Sequence, residues 1–174
     1  NQIYQDPNIW WSKLLKSLND LKKDNFNFSQ IKKISVDGTS GTILISDLNG
    51  HPLTKALMYN DASCLQQSDI IKNISNNNPL FSSPNNALAR SLFLFESNKF
   101  NSKIKLLHQA DWIIGKLLGE YKYSDNNNSL KLGYDSKNNK WFDWIDELPF
   151  NRDVFPIIKD PGDELGNLSQ KLVN

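Results

Sequence analysis

Two glycines three residues apart, with three hydroxyls between and beside them, mark the stretch "SVDGTSGTILISDLNG" at residues 35 to 50. Gly38 and Gly41 permit backbone conformations that side chains forbid. Amides exposed in such a turn, with the hydroxyls of Thr39, Ser40 and Thr42, could hold phosphate or sugar oxygens. The same residues also make a hairpin turn that binds nothing, because Gly-Ser-Thr turns arise for conformational reasons alone. Other chemistry is sparse. Asp37 and Asp47 are the only acids that adjacent strands would bring together, too few for the clustered carboxylates of a two-metal nuclease. Cys64 would need a base to act as a nucleophile, and nothing places His51 or His108, the two histidines, beside it. One cysteine and two histidines also fall short of a structural zinc site.

The composition bounds what these residues can belong to. A chain of 174 residues with 39% hydrophobic and 11% aromatic side chains is one ordinary domain, or a large piece of something bigger. Twenty Lys and Arg against nineteen Asp and Glu leave a net charge of +1, which is no footprint for a polyanion. "KKDN" (22 to 25) and "IKK" (31 to 33) read as solvated helix-end charge, so no nucleic-acid partner is expected. A lone thiol excludes an internal disulfide and fits a reducing, cytoplasmic compartment. No apolar run approaches the roughly 18 residues of a membrane span, no signal-peptide pattern opens the chain, and no membrane partner is expected. The first residue is Asn1 and not Met, in keeping with a single-domain piece, 1–174, of a longer protein.

The elements that must position the turn follow from periodicity. Asp6-Pro7 starts a helix carrying Trp10, Leu14, Leu18 and Leu21, closed by Lys22 and Lys23 at the negative end of its dipole. Ile34 and Val36 begin a strand, "TILIS" forms a second and "KALMYN" a third, joined by short turns as an antiparallel meander. "SCLQQSDIIKNIS" and "NNALARSLFLFESN" read as helices. "KIKLLHQADWIIGKLLG" reads as a helix with Leu107, Ala110, Ile114, Leu117 and Leu118 as its buried stripe, stopped by Gly119. Residues 120 to 140 look like loop, "WFDWIDEL" a short helix, and the C-terminal stretch a turn-rich exit into a helical stub. Trp141 and Trp144 read as core packing. The class is α/β, a strand meander packed with helices.

At "GTSGTILISDLNGHPLTKALMYNDAS" the order of parts resembles the first domain of FGGY-family carbohydrate kinases: a glycine-centred turn, an apolar strand, Asp, Gly and an aromatic-x-Asp stretch. "ALARSLFLFE", "HQADWIIGKLLGEYKYSDNNNSLKLGYD", "WFDWIDELPF" and "FPIIKDPGDELGNLS" follow in the family's order. The likeness spans roughly residues 10 to 170 and looks nearest to the ribulokinase- and xylulokinase-like branch. It implies part of an actin-like, ribonuclease H-like ATPase domain. It also implies ATP and magnesium as cofactors of the intact enzyme, with none bound to this piece, and a pentulose or related polyol as small-molecule substrate. A homodimer is compatible with it.

The resemblance changes the meaning of "DGTSG". Residues 37 to 41 imitate the Asp-x-Gly-Thr-Ser hairpin that holds nucleotide phosphates in the family, yet they follow a long amphipathic helix and lead into "MYNDAS". The implied position is the later, sugar-side turn, with the phosphate hairpin expected upstream of Asn1 and the general base beyond Asn174. Position by position, Ser40 and Gly41 fall where the family contacts sugar hydroxyls, and this small pair implies a roomier contact. Tyr59 falls where relatives put a cleft-lining aromatic, Asp61 in the acidic position of that stretch, and Asn126 at a further sugar-side position. Ala62-Ser63 stands where relatives often have Arg, which removes a charged contact there. Asp61 would equally serve as a helix cap, Tyr59 as a core edge and Asp125 as a loop or cap residue; Lys131 and Asp163 read as solvated surface. No catalytic residue is expected in these 174 positions. The alternative is a stand-alone sugar-binding or interaction module without kinase activity.

Overall fold

In the computed structural model, which describes residues 2–173, a four-stranded sheet is assembled from segments far apart in the sequence. Its strands are β1 (Tyr4–Gln5), β2 (Ile43–Asp47), β3 (Ala56–Leu57) and β4 (Ile104–His108), in the order β1-β3-β2-β4 and antiparallel throughout. The central pairing sets Ile43 opposite His108 and Asp47 opposite Ile104. Helix α1 (Pro7–Lys23) begins where the Asp6 carboxylate accepts from the Asn8 N–H. Helices α2 (Leu65–Ile74) and α3 (Ala87–Glu96) follow β3, and α4 (Gln109–Leu118) leaves β4 without a loop. Gly119, at φ +81°, ends α4 in the left-handed conformation that glycine adopts without penalty. Beyond it, β5 (Tyr123–Asp125) leads into the single turn α5 (Asn126–Ser129), and β6 (Tyr134–Asp135) pairs with β7 (Lys140–Trp141). β8 (Ile157–Lys159) returns parallel to β5, and α6 (Gln170–Val173) closes the described chain.

Side chains alternate across a strand, so β2 feeds a core on each face of the sheet. Ile43 and Ile45 point into a cluster with Ile71, Phe81, Leu88 and Leu92 of the α2 and α3 side. Leu44 points the other way, to Leu107, Trp112 and Tyr121, where Trp10, Trp11 and Leu14 of α1 also pack. Trp10 meets the Trp112 ring edge-on at 6.1 Å. Trp141 and Trp144 pack against the first cluster, as their spacing suggested.

Four expectations are corrected. Residues Ile34 and Val36 form no strand: 31 to 39 run without ladder bonds, and Ile34 is 53% exposed. A strand needs a hydrogen-bonded neighbour, and no described residue pairs with this segment. The pairing expected from Ile34 to Ile45 is instead made by β2 with β4, across some sixty residues. Residues 104 to 108 are therefore strand and not the first turn of a helix. Counting them as helix mis-set the phase of α4. Its buried side chains are Ala110, Asp111, Trp112 and Ile113, and Ile114 is only half-buried. Finally, residues 120 to 140 are not loop but carry β5, α5, β6 and β7. Among the described residues no helix is long and apolar enough to cross a membrane.

Candidate functional site

The turn at 39 to 42 is built by its own backbone and by the start of α4. The Thr42 N–H donates to the Thr39 carbonyl at 3.2 Å, closing a four-residue turn. Gly41 sits at its third position with φ +86°, the sign that a type II turn requires there. The Gln109 side chain accepts from the Thr39 N–H at 2.8 Å, and the Gln109 N–H donates to the Thr42 carbonyl at 3.1 Å. Gly38 lies so close to α4 that a Cβ there would stand 3.1 Å from the Ala110 nitrogen. Glycine at 38 is a packing requirement and glycine at 41 a conformational one.

Arg90, in α3 and 1% exposed, ties this turn to the segment after β3. Its Nη2 donates to the Gly41 carbonyl at 2.6 Å; its Nη1 donates to the carbonyls of Asp61 at 3.1 Å and Asn85 at 2.5 Å. Burial pulls the guanidinium down to about 10, so it remains a cation at neutral pH. Tyr59 follows as a direct neighbour: its N–H donates to Thr42 Oγ1 at 3.2 Å, and a Cβ on Gly41 would lie 3.8 Å from its own Cβ. The Tyr59 side chain is half exposed. On the other side Lys131 places Cδ 3.6 Å from the same point and Nζ 3.5 Å from the Ser40 carbonyl. Gly41 is thus the centre of one cluster, with Tyr59 on one side, the Ser40 carbonyl and Lys131 on the other, and Arg90 Nη2 nearest of all, 3.1 Å from a Cβ built at 41.

The other two proposed positions lie differently. Asp61 is 1% exposed, and its carboxylate is spent within the fold. It accepts from the Ile3 N–H at 2.6 Å and from both the N–H and hydroxyl of Ser63. Burial alone would raise this carboxyl, but those hydrogen bonds and the Arg90 charge hold it below the usual range. Asn126 begins α5 and reaches Asp160 at 3.4 Å, while its neighbours Asn127 and Asn128 line a cleft of about 1020 Å³ together with Gly38 and Ser40. Asp125 caps α5 through the Asn128 N–H at 2.8 Å. The sequence-based expectations do not include Arg90 or His108 as site residues; Lys131 is exposed as expected, though its ammonium reaches the Ser40 carbonyl. A buried cation inside the apolar run "ALARSLFLF" was the available signal for Arg90.

Beneath the turn lies a buried polar pocket. His108 is fully buried; Asp111, one turn into α4, accepts from the His108 N–H at 3.0 Å. His108 Nε2, Asp111 Oδ1 and Ser124 Oγ are buried without a hydrogen-bond partner. Burial pushes the Asp111 carboxyl up to about 7, against the pull of the His108 N–H. Burial likewise drives the His108 imidazole down to about 4, opposed by Asp125 and reinforced by Lys131 and Arg90. The two act on stability with opposite signs. An unfolded carboxyl loses its proton near pH ~4, so Asp111 contributes fully below that and loses its contribution as pH rises through about 7. His108 contributes fully above ~6.5 and loses its contribution as pH falls through about 4. Between those limits the proton counts cancel. Asp111→Asn keeps an acceptor for the His108 N–H and removes one of the two. Its urea-denaturation free energy should then fall by about 1.4 kcal/mol per pH unit as pH drops from ~6.5 to ~4. A variant profile as flat as the parent's would refute the paired titration.

Cys64 is buried, its thiol pushed up to about 11 by burial and by nearby Asp61, which leaves no nucleophile. Asp37 bonds the Gly38 N–H and lies off the sheet that carries Asp47. Among the described residues no group of three or more His, Cys, Asp or Glu could hold a metal ion.

The sequence model of the FGGY family of carbohydrate kinases, N-terminal domain, matches residues 2–174. Xylulose kinase of Staphylococcus xylosus is 24% identical over 178 residues, covering 97% of this chain and 37% of that protein. Among solved structures, Plasmodium falciparum glycerol kinase with ADP superposes with a TM-score of 0.85 at 20% identity, covering 99% of this chain and 38% of its own. Gluconate kinase from Lactobacillus acidophilus gives 0.83 at 17% identity, covering 99% and 36%. The chain therefore spans a little over a third of the length of these proteins. Their likeness shows the fold, a mixed α/β part of an actin-like, ribonuclease H-like ATPase domain.

Proposed function

Since the chain belongs to the FGGY family of carbohydrate kinases, we propose that it forms the sugar-side wall of a kinase that phosphorylates a hydroxyl of a pentulose or related polyol. In this reading ATP supplies the γ-phosphoryl with magnesium. The phosphate hairpin, general base and nucleotide lobe belong to the two-thirds of its relatives' length that the chain does not span. A cytoplasmic location, with no nucleic-acid or membrane partner, goes with the proposal.

The observation that carries it is the meeting of Tyr59, Lys131 and the Ser40 turn around Gly41. A polyol presents C–H faces and hydroxyls in alternation, so it needs an apolar plate and several hydrogen-bonding groups at one place. The Tyr59 ring offers the plate; the Ser40 hydroxyl and the Lys131 ammonium offer the polar groups. With no side chain at 41, Arg90 Nη2 can close on the Gly41 carbonyl and hold the turn between them. Kinases of this chemistry work by positioning and electrostatics, so weak sugar contacts are felt in sugar affinity first.

The test uses the full-length protein with ATP, magnesium and a panel of pentuloses, hexuloses, glycerol and gluconate. A pentulose or related polyol should be turned over, and Ser40→Phe or Lys131→Ala should raise the KM for the sugar by about tenfold. The KM for ATP should stay within about twofold, because the nucleotide does not reach these residues. Equal losses for sugar and ATP would return "DGTSG" to a phosphate-binding role. Magnesium-dependent sugar turnover by residues 1–174 alone would overturn the division of labour. Sugar binding without any turnover by the full-length protein would favour a binding module instead.

A further inference from the structure

Gly41 is the freest residue of the site by chemistry and the most constrained by its surroundings. Its N–H donates to His108 Nδ1 at 3.3 Å, and its carbonyl accepts from Arg90 Nη2 at 2.6 Å. The peptide plane before its Cα is thus held from the junction of β4 and α4, and the plane after it from α3. Rotation about both φ and ψ is blocked in a residue that would otherwise lose more entropy on ordering than any other. Both holding side chains are buried to 1% exposure or less.

Neither is there merely to fill space. Each keeps a buried nitrogen with no partner, Nε2 in His108 and Nε in Arg90, a cost that an apolar side chain of similar volume would avoid. What an apolar residue could not supply is the acceptor for the Gly41 N–H and the donor to its carbonyl. We propose that His108 and Arg90 are positioning residues that clamp Gly41 from both sides, fixing Ser40 and the turn beside Tyr59 for the substrate. This rests on the sugar-side reading given above. The imidazole must be neutral with its proton on Nε2, since Nδ1 accepts. Burial favours that neutral form by holding His108 down at about 4.

Two histidine variants separate the clamp from packing. Asn at 108 places its amide oxygen near the position of Nδ1, whereas Gln reaches toward Nε2 and leaves the Gly41 N–H without its acceptor. Amide hydrogen exchange of the full-length protein needs neither sugar nor ATP. In His108→Gln the Gly41 amide should exchange at least about a hundredfold faster than in the parent, with Ile43 to Ile45 still protected, and in His108→Asn within about tenfold of the parent. In turnover, His108→Gln should raise the sugar KM by about tenfold with the ATP KM within about twofold, and His108→Asn should restore most of it. If Gln does not fold, Asn against the parent in the exchange measurement decides: a Gly41 amide as fast as its solvent-exposed neighbours would overturn the clamp. So would unchanged Gly41 exchange in the Gln variant, or sugar and ATP KM rising together. A parent enzyme with no sugar turnover would remove the kinase reading, and the exchange measurement alone would then decide the clamp.

Discussion

Alanine at Gly115 is expected to destabilise the protein by about 2–4 kcal/mol, and alanine at Gly50 by at least as much. The Tyr121 ring is slotted between these two glycines, and a Cβ on either would overlap its atoms. Tyr121 is 8% exposed and packs with Leu44, Leu107 and Trp112, so the ring has no free direction in which to retreat. Gly50 carries two further burdens. Its φ of +77° is unfavourable for any side chain, and its carbonyl accepts the Trp112 indole N–H at 2.9 Å, so a shift there also disturbs the second core. Urea denaturation of the single and double variants checks this. Tyr121→Ala alone should cost about 3–5 kcal/mol by leaving a cavity. Combined with Gly115→Ala it should cost less than the sum, with a coupling of about 1–3 kcal/mol. Strictly additive losses would mean that the ring does not occupy the slot.

Arg90→Met should cost about 3 kcal/mol. Two buried carbonyls, of Gly41 and Asp61, lose their donor together with that of the exposed Asn85, and each buried acceptor left unpaired costs about 1–3 kcal/mol. Against this, methionine nearly preserves the volume and relieves the desolvation that lowers the guanidinium to about 10. The lost acceptors outnumber the relieved charge, so the balance stays unfavourable. Arg90→Lys keeps the charge but cannot reach three carbonyls at once, and should fall between the two. Thermal and urea unfolding give the ranking, and a methionine variant within about 0.5 kcal/mol of the parent would show that Arg90 holds nothing.

The helices were legible where they carry their own boundary signals. Asp6-Pro7 before α1 and Gly119 after α4 are such signals, and both bound their helices where expected. The sheet was legible only in part, because pairing is not written locally. "KIKLLH" has a helix former's composition, but its Ile104 and Leu106 go to one core and Leu107 to the other, an alternation that only the partner strand β2 reveals. The opposite error arose at Ile34 and Val36, whose β-branched residues look like a strand but find no partner among the described residues. At the site, Ser40, Gly41 and Tyr59 could be brought together from the order of motifs. Arg90 and His108 could not, because a buried polar side chain that bonds a distant backbone leaves no spacing to read.

The placement of Cys64 turns one residue into a clock. It lies 1% exposed just ahead of α2, and with its thiol pushed up to about 11 only about one molecule in ten thousand is thiolate at pH 7. A thiol reagent therefore modifies the chain chiefly while the start of α2 has lifted off the core it shares with α3, and the labelling rate times that moment-to-moment opening. If labelling accelerates in parallel with global unfolding across a denaturant series, α2 opens only with the whole core. If it does not, this edge of the fold breathes on its own, and the difference between the two rates measures how much of the protein's stability reaches the layer behind the Gly41 turn.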